Sequence, residues 1–166
     1  MKLEDVLDQP LKTTGSDIPE GSYPATLYKF GEPFEVDNTK GKFYREGQPK
    51  TRVVFEACFG IFDKAGKLES LDYLIPVPDG GAANKKSNLY KMLKGLATGT
   101  PLMSGDGEFA TGTTLKSFVG TNGVVSVKKN EQDFANVSGV APKMEGAKYP
   151  TLEECATLKG SDNIPF

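Results

Sequence analysis

The sequence predicts an all-β protein: a five-stranded barrel with one plugging helix between the third and fourth strands, plus short terminal segments. Apolar residues recur with period two in segments rich in β-branched and aromatic residues, a pattern typical of half-buried strands. One long segment after the third strand has apolar residues at helical spacing. Clusters of Gly, Pro and Asp separate these segments, as turns do.

Residues 21–30 predict the first strand, and Pro24 near its start fits an edge or a barrel rim. By alternation its inward residues are Tyr23, Ala25 and Leu27, and its outward residues are Thr26 and Tyr28. A long loop, residues 31–49, follows this strand. The first residues of the chain, up to 20, form a predicted N-terminal extension.

The second strand, residues 50–62, has the longest alternating pattern in the chain. One face holds Val53, Phe55, Ala57, Phe59 and Ile61, and the other holds Arg52, Val54, Glu56 and Cys58. A strand of this length usually bends, and Gly60 is the predicted place for a coil or bulge.

Residues 63–67 predict a turn that joins a third strand, residues 68–76, on which Leu71, Tyr73 and Ile75 share a face. Ser87 is then placed to cap a helix over residues 88–97. The Gly- and Thr-rich residues 98–114 predict a mobile loop, and residues 115–119 are ambiguous.

Residues 123–129 and 133–140 predict the last two strands. Three strands, a helix and two strands are the element order of an OB-fold barrel, a fold that binds oligonucleotides and oligosaccharides. SH3-like and other small barrels come close to the same order. Residues 21–142 are therefore the predicted domain, followed by a C-terminal tail, residues 143–166.

Composition excludes several classes of function. The chain has no histidine, which excludes histidine-based acid–base catalysis and histidine metal sites, and it has no tryptophan. Its two cysteines suggest no disulfide framework.

No apolar run reaches membrane-spanning length and no secretory signal is seen, so a cytoplasmic location is expected, the host cytoplasm if a phage encodes the chain. The middle, residues 21–142, has fifteen basic and thirteen acidic residues between acidic ends.

The strongest candidate site is the basic and aromatic loop ahead of the second strand. Single-strand binding needs cations for phosphates and flat side chains on which bases stack. The predicted nucleic-acid-binding residues are Tyr28, Lys40, Lys42, Phe43, Tyr44, Arg45, Lys50, Arg52, Tyr73, Lys85, Lys86 and Lys128. A solvated loop that folds over the barrel explains this composition about as well.

Two other motifs point to enzymes but lack the necessary context. Residues 80–87 resemble a phosphate-binding loop, yet Lys85 stands where glycine is required and the βαβ setting is missing. Asp106 and Glu108 are paired carboxylates without a third metal ligand at suitable spacing. The sequence therefore predicts no catalytic residues, no metal and no cofactor.

The chain ends Ser161, Asp162, Asn163, Ile164, Pro165, Phe166. This end resembles that of bacterial and phage single-stranded DNA-binding proteins, which typically finish with acidic residues followed by Ile-Pro-Phe. Here only Asp162 is acidic directly before Ile164; Glu153 and Glu154 lie in a capping box with Thr151, which predicts a short helix.

The resemblance implies a non-enzymatic phage-type protein that coats single-stranded DNA without strong sequence preference during replication or recombination. It further implies that Asp162, Ile164, Pro165 and Phe166 recruit replication or recombination proteins. Membrane binding is not expected, and oligomeric state is left open. Two alternatives remain: a small β-barrel structural or assembly protein without nucleic-acid binding, and a metal-dependent enzyme subunit using Asp106 and Glu108.

Overall fold

A computed structural model of the chain describes residues 18–37, 39, 45–47, 49–77, 85–131 and 135–158. Over these ranges the protein is mostly β, with one open antiparallel sheet and few helices. The strands are β1 (Gly21–Phe30), β2 (Phe34–Asp37), β3 (Thr51–Phe62), β4 (Leu68–Pro76), β5 (Asn122–Lys129) and β6 (Ala135–Pro142). The helices are α1 (Asn88–Ala97) and α2 (Leu152–Cys155), with a 3-10 turn at Leu115–Phe118.

The long β3 organises the sheet. The strand order is β2-β3-β1-β5-β6, and β4 pairs with the other edge of β3. Val54 pairs with both Phe34 of β2 and Pro76 of β4, so β2 and β1 succeed one another along a single edge of β3. In the described ranges β4 and β6 approach each other without a strand pairing between them.

The prediction of an all-β protein is confirmed, and the predicted positions of the long strands and of the helix agree closely with those observed. The short β2 was not predicted. The last strand is described over Ala135–Pro142, and its predicted start at residue 133 lies outside the described ranges. The ambiguous segment after residue 114 is the 3-10 turn.

The core lies between the inner face of the sheet and α1. Ser87 caps α1 as predicted, because its Oγ accepts a hydrogen bond from the backbone N of Tyr90 at 3.0 Å. The buried core residues supplied by β1, β3, β4 and α1 are Tyr23, Ala25, Leu27, Phe55, Ala57, Phe59, Ile61, Leu71, Ile75, Leu89, Met92, Leu93, Leu96 and Ala97. The period-two and helical patterns therefore identify the inner face correctly.

Part of the outer face of β1 and β3 is also covered, by the C-terminal strap (residues 150–158). Thr26 Oγ1 donates a hydrogen bond to the Pro150 carbonyl at 2.6 Å. The predicted capping box opens α2: the Thr151 side chain accepts from Glu154 N at 3.1 Å, and Glu154 Oε1 accepts from Thr151 N at 3.1 Å. Cys155 is then fully buried against the sheet.

Gly60 serves the strap rather than a bulge, so the predicted bulge at this position is wrong. The register of β3 runs through Gly60 without a shift, against Thr26 on one side and Ser70 on the other. A Cβ at Gly60 would collide with Cys155 Sγ. The bulge lies instead in β1, where the register shifts between Leu27 and Lys29.

The loop that follows α1, which the sequence predicts to be mobile, contacts the rest of the protein through two of its residues. Met103 and Phe109 form an isolated β-bridge. The Phe109 ring lies edge-on to both Tyr90 and Phe118, at centroid distances of 5.6 and 5.8 Å. These aromatic contacts connect the loop to α1 and to the 3-10 turn.

The end of the predicted N-terminal extension also belongs to the folded unit. Ile18 is 3% exposed and lies in the core, and Tyr23 Oη donates to the Pro19 carbonyl at 2.6 Å. Among the residues that the structure describes, none of the helices is both long enough and apolar enough to cross a membrane.

Candidate nucleic-acid interface

The basic end of β3 and the short β2 form a segment that we call the arm. It consists of β2 and residues 51–54 of β3, paired in the register Phe34↔Val54, Glu35↔Val53, Val36↔Arg52 and Asp37↔Thr51. Directly opposed residues of an antiparallel pair share a face. The arm therefore has an Arg52 face, formed by Phe34, Val36, Arg52 and Val54, and a Glu35 face, formed by Glu35, Asp37, Thr51 and Val53.

This register separates charges that the sequence intermixes. Glu35 and Asp37 lie near the basic residues in sequence, but their side chains belong to the face opposite to Arg52. The Asp37 carboxylate accepts hydrogen bonds from Thr39 N at 2.8 Å and Thr39 Oγ1, and these bonds hold its pKa below the usual value. Arg52 thus shares its face with aromatic and aliphatic side chains.

The predicted basic loop is only partly described. Arg45, Lys50 and Arg52 are exposed; Arg52 lies in the arm and Lys50 directly precedes it. Lys40, Lys42, Phe43 and Tyr44 lie outside the described residues, and their assignment to the interface stays a prediction.

Tyr28 is not the exposed stacking platform that the sequence predicts. Its side chain leaves the sheet on the outer face, as expected, but the strap covers it, and Tyr28 packs with Cys58, Cys155 and Leu158. The residue is 8% exposed, and its hydroxyl lies 2.6 Å from Ser70 Oγ. Burial raises the Tyr28 pKa well above its ordinary value. A base cannot stack on this ring while the strap is in place.

Tyr73 is likewise unsuited to stacking. It shares the inward face of β4 with Leu71 and Ile75, as predicted, and packs half-buried against the core. Burial raises the Tyr73 pKa. Its packing against the core leaves little of the ring available to a base, so the predicted role of Tyr73 in nucleic-acid binding finds no support in its position.

A polar cluster separates the arm from the strap on the outer face. One carboxylate oxygen each of Glu56 and Asp72 and the Cys58 Sγ lie within 4.8 Å of one another. Cys58 and Asp72 are direct cross-strand partners. Burial, and then Asp72, raise the pKa of both Glu56 and Cys58, whereas Lys29 opposes these shifts. Lys29 is 7% exposed and is brought beside Cys58 by the register after the β1 bulge. Its ammonium group balances part of the negative charge.

The remaining predicted cations, Lys85, Lys86 and Lys128, are exposed. Lys128 lies on β5 next to the start of β1, while the arm follows the end of β1, about 30 Å away along a ten-residue strand. Lys85 Nζ pairs with Glu108 Oε1 at 3.2 Å, which raises the Lys85 pKa. Lys86 is exposed beside it.

The carboxylates of Asp106 and Glu108 stabilise their own loop. Asp106 Oδ1 accepts hydrogen bonds from Ser104 Oγ and from Glu108 N, and these bonds lower the Asp106 pKa. Glu108 pairs with Lys85. Local hydrogen bonding and this exposed ion pair account for both carboxylates.

Sequence reasoning missed Phe34, an exposed aromatic residue on the Arg52 face. The alternation in β2 covers only four residues, which is too short to predict a strand by itself. The predicted partner-binding residues Asp162, Ile164, Pro165 and Phe166 lie outside the described ranges. No protein-family model matches this chain, and a search of curated proteins finds no matching sequence.

Proposed function

We propose that this protein is a non-enzymatic single-stranded DNA-binding protein of phage type, built on an OB-type barrel. It coats single strands without strong sequence preference, through phosphate neutralisation and base stacking. It needs no metal or cofactor for binding. In this proposal it acts in the cytoplasm, the host cytoplasm if phage-encoded, during replication or recombination.

The strand order is the observation that carries the proposal. If the short β2 is set aside, the order is β4-β3-β1-β5-β6, with α1 between β4 and β5. An OB barrel has its five strands in this order, with its helix after the third strand. Closure would require the approaching β4 and β6 to be neighbours. In that fold, oligonucleotides bind the face of the second and third strands and adjoining loops.

The arm supports the same function by its position and charge. β3 and β4 correspond to the second and third strands of an OB barrel, and the arm extends the head of β3. Lys50 and Arg52 are exposed there. Cations at this place suit a polyanion, because they lie beside the face that the fold uses for oligonucleotides.

Partner recruitment through Asp162, Ile164, Pro165 and Phe166 is a second component of the proposal. It is supported by the resemblance of these residues to the ends of bacterial and phage single-stranded DNA-binding proteins. An apolar pocket with a basic rim is the kind of surface that such a segment fits. Replication or recombination proteins are the proposed partners.

The test is fluorescence anisotropy with a labelled oligothymidylate and with a duplex of similar length. We expect saturable binding to the single strand and much weaker binding to the duplex, whose bases cannot stack on protein side chains. A protein that binds neither ligand at low salt would be the β-barrel structural or assembly protein instead. Equal binding to both would indicate a general polyanion-binding surface, contrary to the proposal.

A further inference from the structure

Phe34 is unusual among the aromatic side chains that the structure describes. It is 43% exposed, and it is the one aromatic residue among the exposed large apolar side chains of the described ranges. Its cross-strand partner Val54 is completely buried between Phe34 on one side and Pro76 on the other. The Phe34 ring therefore lies at the surface, over a rigid paired backbone.

The surroundings of Phe34 favour a nucleotide. Arg52 is its diagonal neighbour on the same face, because Phe34 pairs with Val54 and Arg52 pairs with Val36. Diagonal neighbours lie about 7–8 Å apart, which is within reach of aromatic and long side chains. A base on the ring would place its phosphate near the guanidinium group. The acids of the arm, Glu35 and Asp37, lie on the opposite face.

The outer face also limits where a polyanion can continue. On this face, the cross-strand pair Val54 and Pro76 lies next to the arm. The next pair along the strands is Glu56 and the exposed Leu74, and the pair after that is Cys58 and Asp72. Beyond them the strap covers the sheet. The carboxylates disfavour phosphate, so the open path for a single strand crosses the arm at Phe34 rather than following the strand axis.

We propose that Phe34 is a base-stacking residue of the single-strand site, with Arg52 contacting an adjacent phosphate. This inference rests on the proposed function and deepens it by naming a stacking platform in place of Tyr28 and Tyr73. Every nucleobase has a face that can stack on a ring, so the contact carries little sequence preference.

The absence of tryptophan from the chain allows a direct test. Phe34→Trp introduces a single indole at the proposed platform. Val53→Trp is the matched control, because Val53 is 39% exposed on the opposite face of the same strand pair. The probes are oligothymidylate and an oligomer of the same length with abasic sites throughout. Anisotropy of the labelled probe measures binding independently of tryptophan emission.

We expect oligothymidylate to quench Phe34→Trp emission in parallel with the anisotropy curve, while abasic oligomer does not and Val53→Trp is unaffected. Phe34→Ala should weaken binding between about fivefold and about a hundredfold, the range for loss of one stacked base. Phe34→Tyr, which keeps the ring, should bind like the wild type. Circular dichroism of each variant checks that the fold is intact.

Failure of this inference is distinguishable from failure of the proposed function. If oligothymidylate binds but leaves Phe34→Trp emission unchanged, or if Phe34→Ala binds normally, Phe34 is not a stacking residue although the function stands. If the wild type binds no single strand, both proposals are wrong. Quenching by the abasic oligomer as well would show proximity to the backbone without stacking, which also overturns the inference.

Discussion

Glu56 shows how one side chain links the fold to pH. It lies half-buried on the outer face of β3, between the arm and the strap. Burial raises its pKa above the ordinary value, Asp72 raises it further, and Lys29 opposes the shift. In the pH interval between the unfolded and folded pKa values the native state therefore binds more protons than the unfolded state.

The consequence is a stability that depends on pH in a defined direction. Because the folded-state pKa is raised, the contribution of Glu56 is present at low pH and is lost as pH rises through its folded value. Glu56→Gln should remove this contribution. As pH rises above about 4.3, the unfolding free energy of the wild type should therefore fall relative to that of Glu56→Gln. Urea unfolding across that interval measures it.

Glu35→Gln is the matched control, since Glu35 is exposed on the opposite face of the sheet. Comparison of the two variants separates the effect of the half-buried carboxylate from the general effect of removing one negative charge. The account of Glu56 is wrong if the unfolding free energy of Glu56→Gln has the same pH dependence as that of the wild type. It is also wrong if Glu35→Gln changes this pH dependence as much as Glu56→Gln does.

The polar cluster could be predicted only in part from the sequence. Alternation places Glu56 and Cys58 on one face of β3. Their proximity to Asp72 depends on the register of the β3–β4 hairpin. The turn of this hairpin is held by Asp63 Oδ1, which accepts hydrogen bonds from Ala65 N at 2.9 Å and from Lys67 N at 2.8 Å. Lys29 joins them because of the β1 bulge, for which the sequence has no signal.

At the scale of elements, the contact between α2 and β3 depends on the absence of one side chain. Gly60→Ala would place a Cβ against Cys155 Sγ, and overpacking of this kind costs about 1–3 kcal/mol. Cys155→Ala should relieve the clash in the double variant, because the Cys155 Cβ would remain 3.7 Å from the new methyl group. Thermal denaturation of the four proteins in the cycle measures the coupling.

Gly139→Ala is the control for this cycle, because a Cβ at that strand position meets no atom within 4 Å. We expect it to be close to neutral. Equal destabilisation by Gly60→Ala in the presence and absence of the Cys155 thiol would contradict the proposed contact.

Gly95 is the second close approach, between α1 and β6. Glycine to alanine in a helix interior usually stabilises by roughly 0.5–1 kcal/mol. Here a Cβ would lie 2.5 Å from the Val140 carbonyl oxygen, a backbone atom that cannot rotate away. Gly95→Ala should therefore lower the melting temperature instead of raising it. An increased melting temperature in calorimetry would show that α1 is not in this contact.

The sequence predicts the elements that have an alternating or helical apolar pattern, and it predicts α2 from its capping box. β1, β3, β4 and α1 repeat their apolar pattern over nine or more residues. The short β2 and the strap lack this periodic signal, and the strap is held by single residues such as Cys155 and Leu158. Tyr28 was consequently predicted to be exposed, because nothing in its own strand indicates a cover.

At the scale of the whole molecule, the chain end is expected to act separately from the sheet. Deleting Ile164, Pro165 and Phe166 should abolish binding to a replication or recombination protein that has a basic-rimmed apolar pocket. Single-strand affinity and melting temperature should stay unchanged. Calorimetric titration with the partner and anisotropy with the oligonucleotide measure the two properties.

Exchanging the outer residues, as Ile164→Phe with Phe166→Ile, keeps length and composition and provides the control. We expect this variant to lose partner binding as well, because the apolar pocket would receive isoleucine in place of the terminal aromatic ring. Normal partner binding by the deletion variant, or a fall of many degrees in its melting temperature, would contradict a separate recruiting segment.

The whole-molecule charge pattern was also only partly predictable. The sequence shows a slightly basic middle and acidic ends. The separation of Arg52 from Glu35 and Asp37 depends on the pairing of β2 with β3, and the distance of Lys128 from the arm depends on the order of β1 and β5.

The most direct test of single-strand binding by the arm is the salt dependence of oligothymidylate affinity. If about four cations contact phosphates, log affinity should fall with log salt at a slope near -3, since each contact on a single strand contributes about 0.7. Lys50→Ala with Arg52→Ala should flatten that slope by about 1.4. Lys91→Ala with Lys94→Ala, on the exposed side of α1, should leave it unchanged. An unchanged slope in the arm variant, or a flattened slope in the α1 variant alone, would contradict the account.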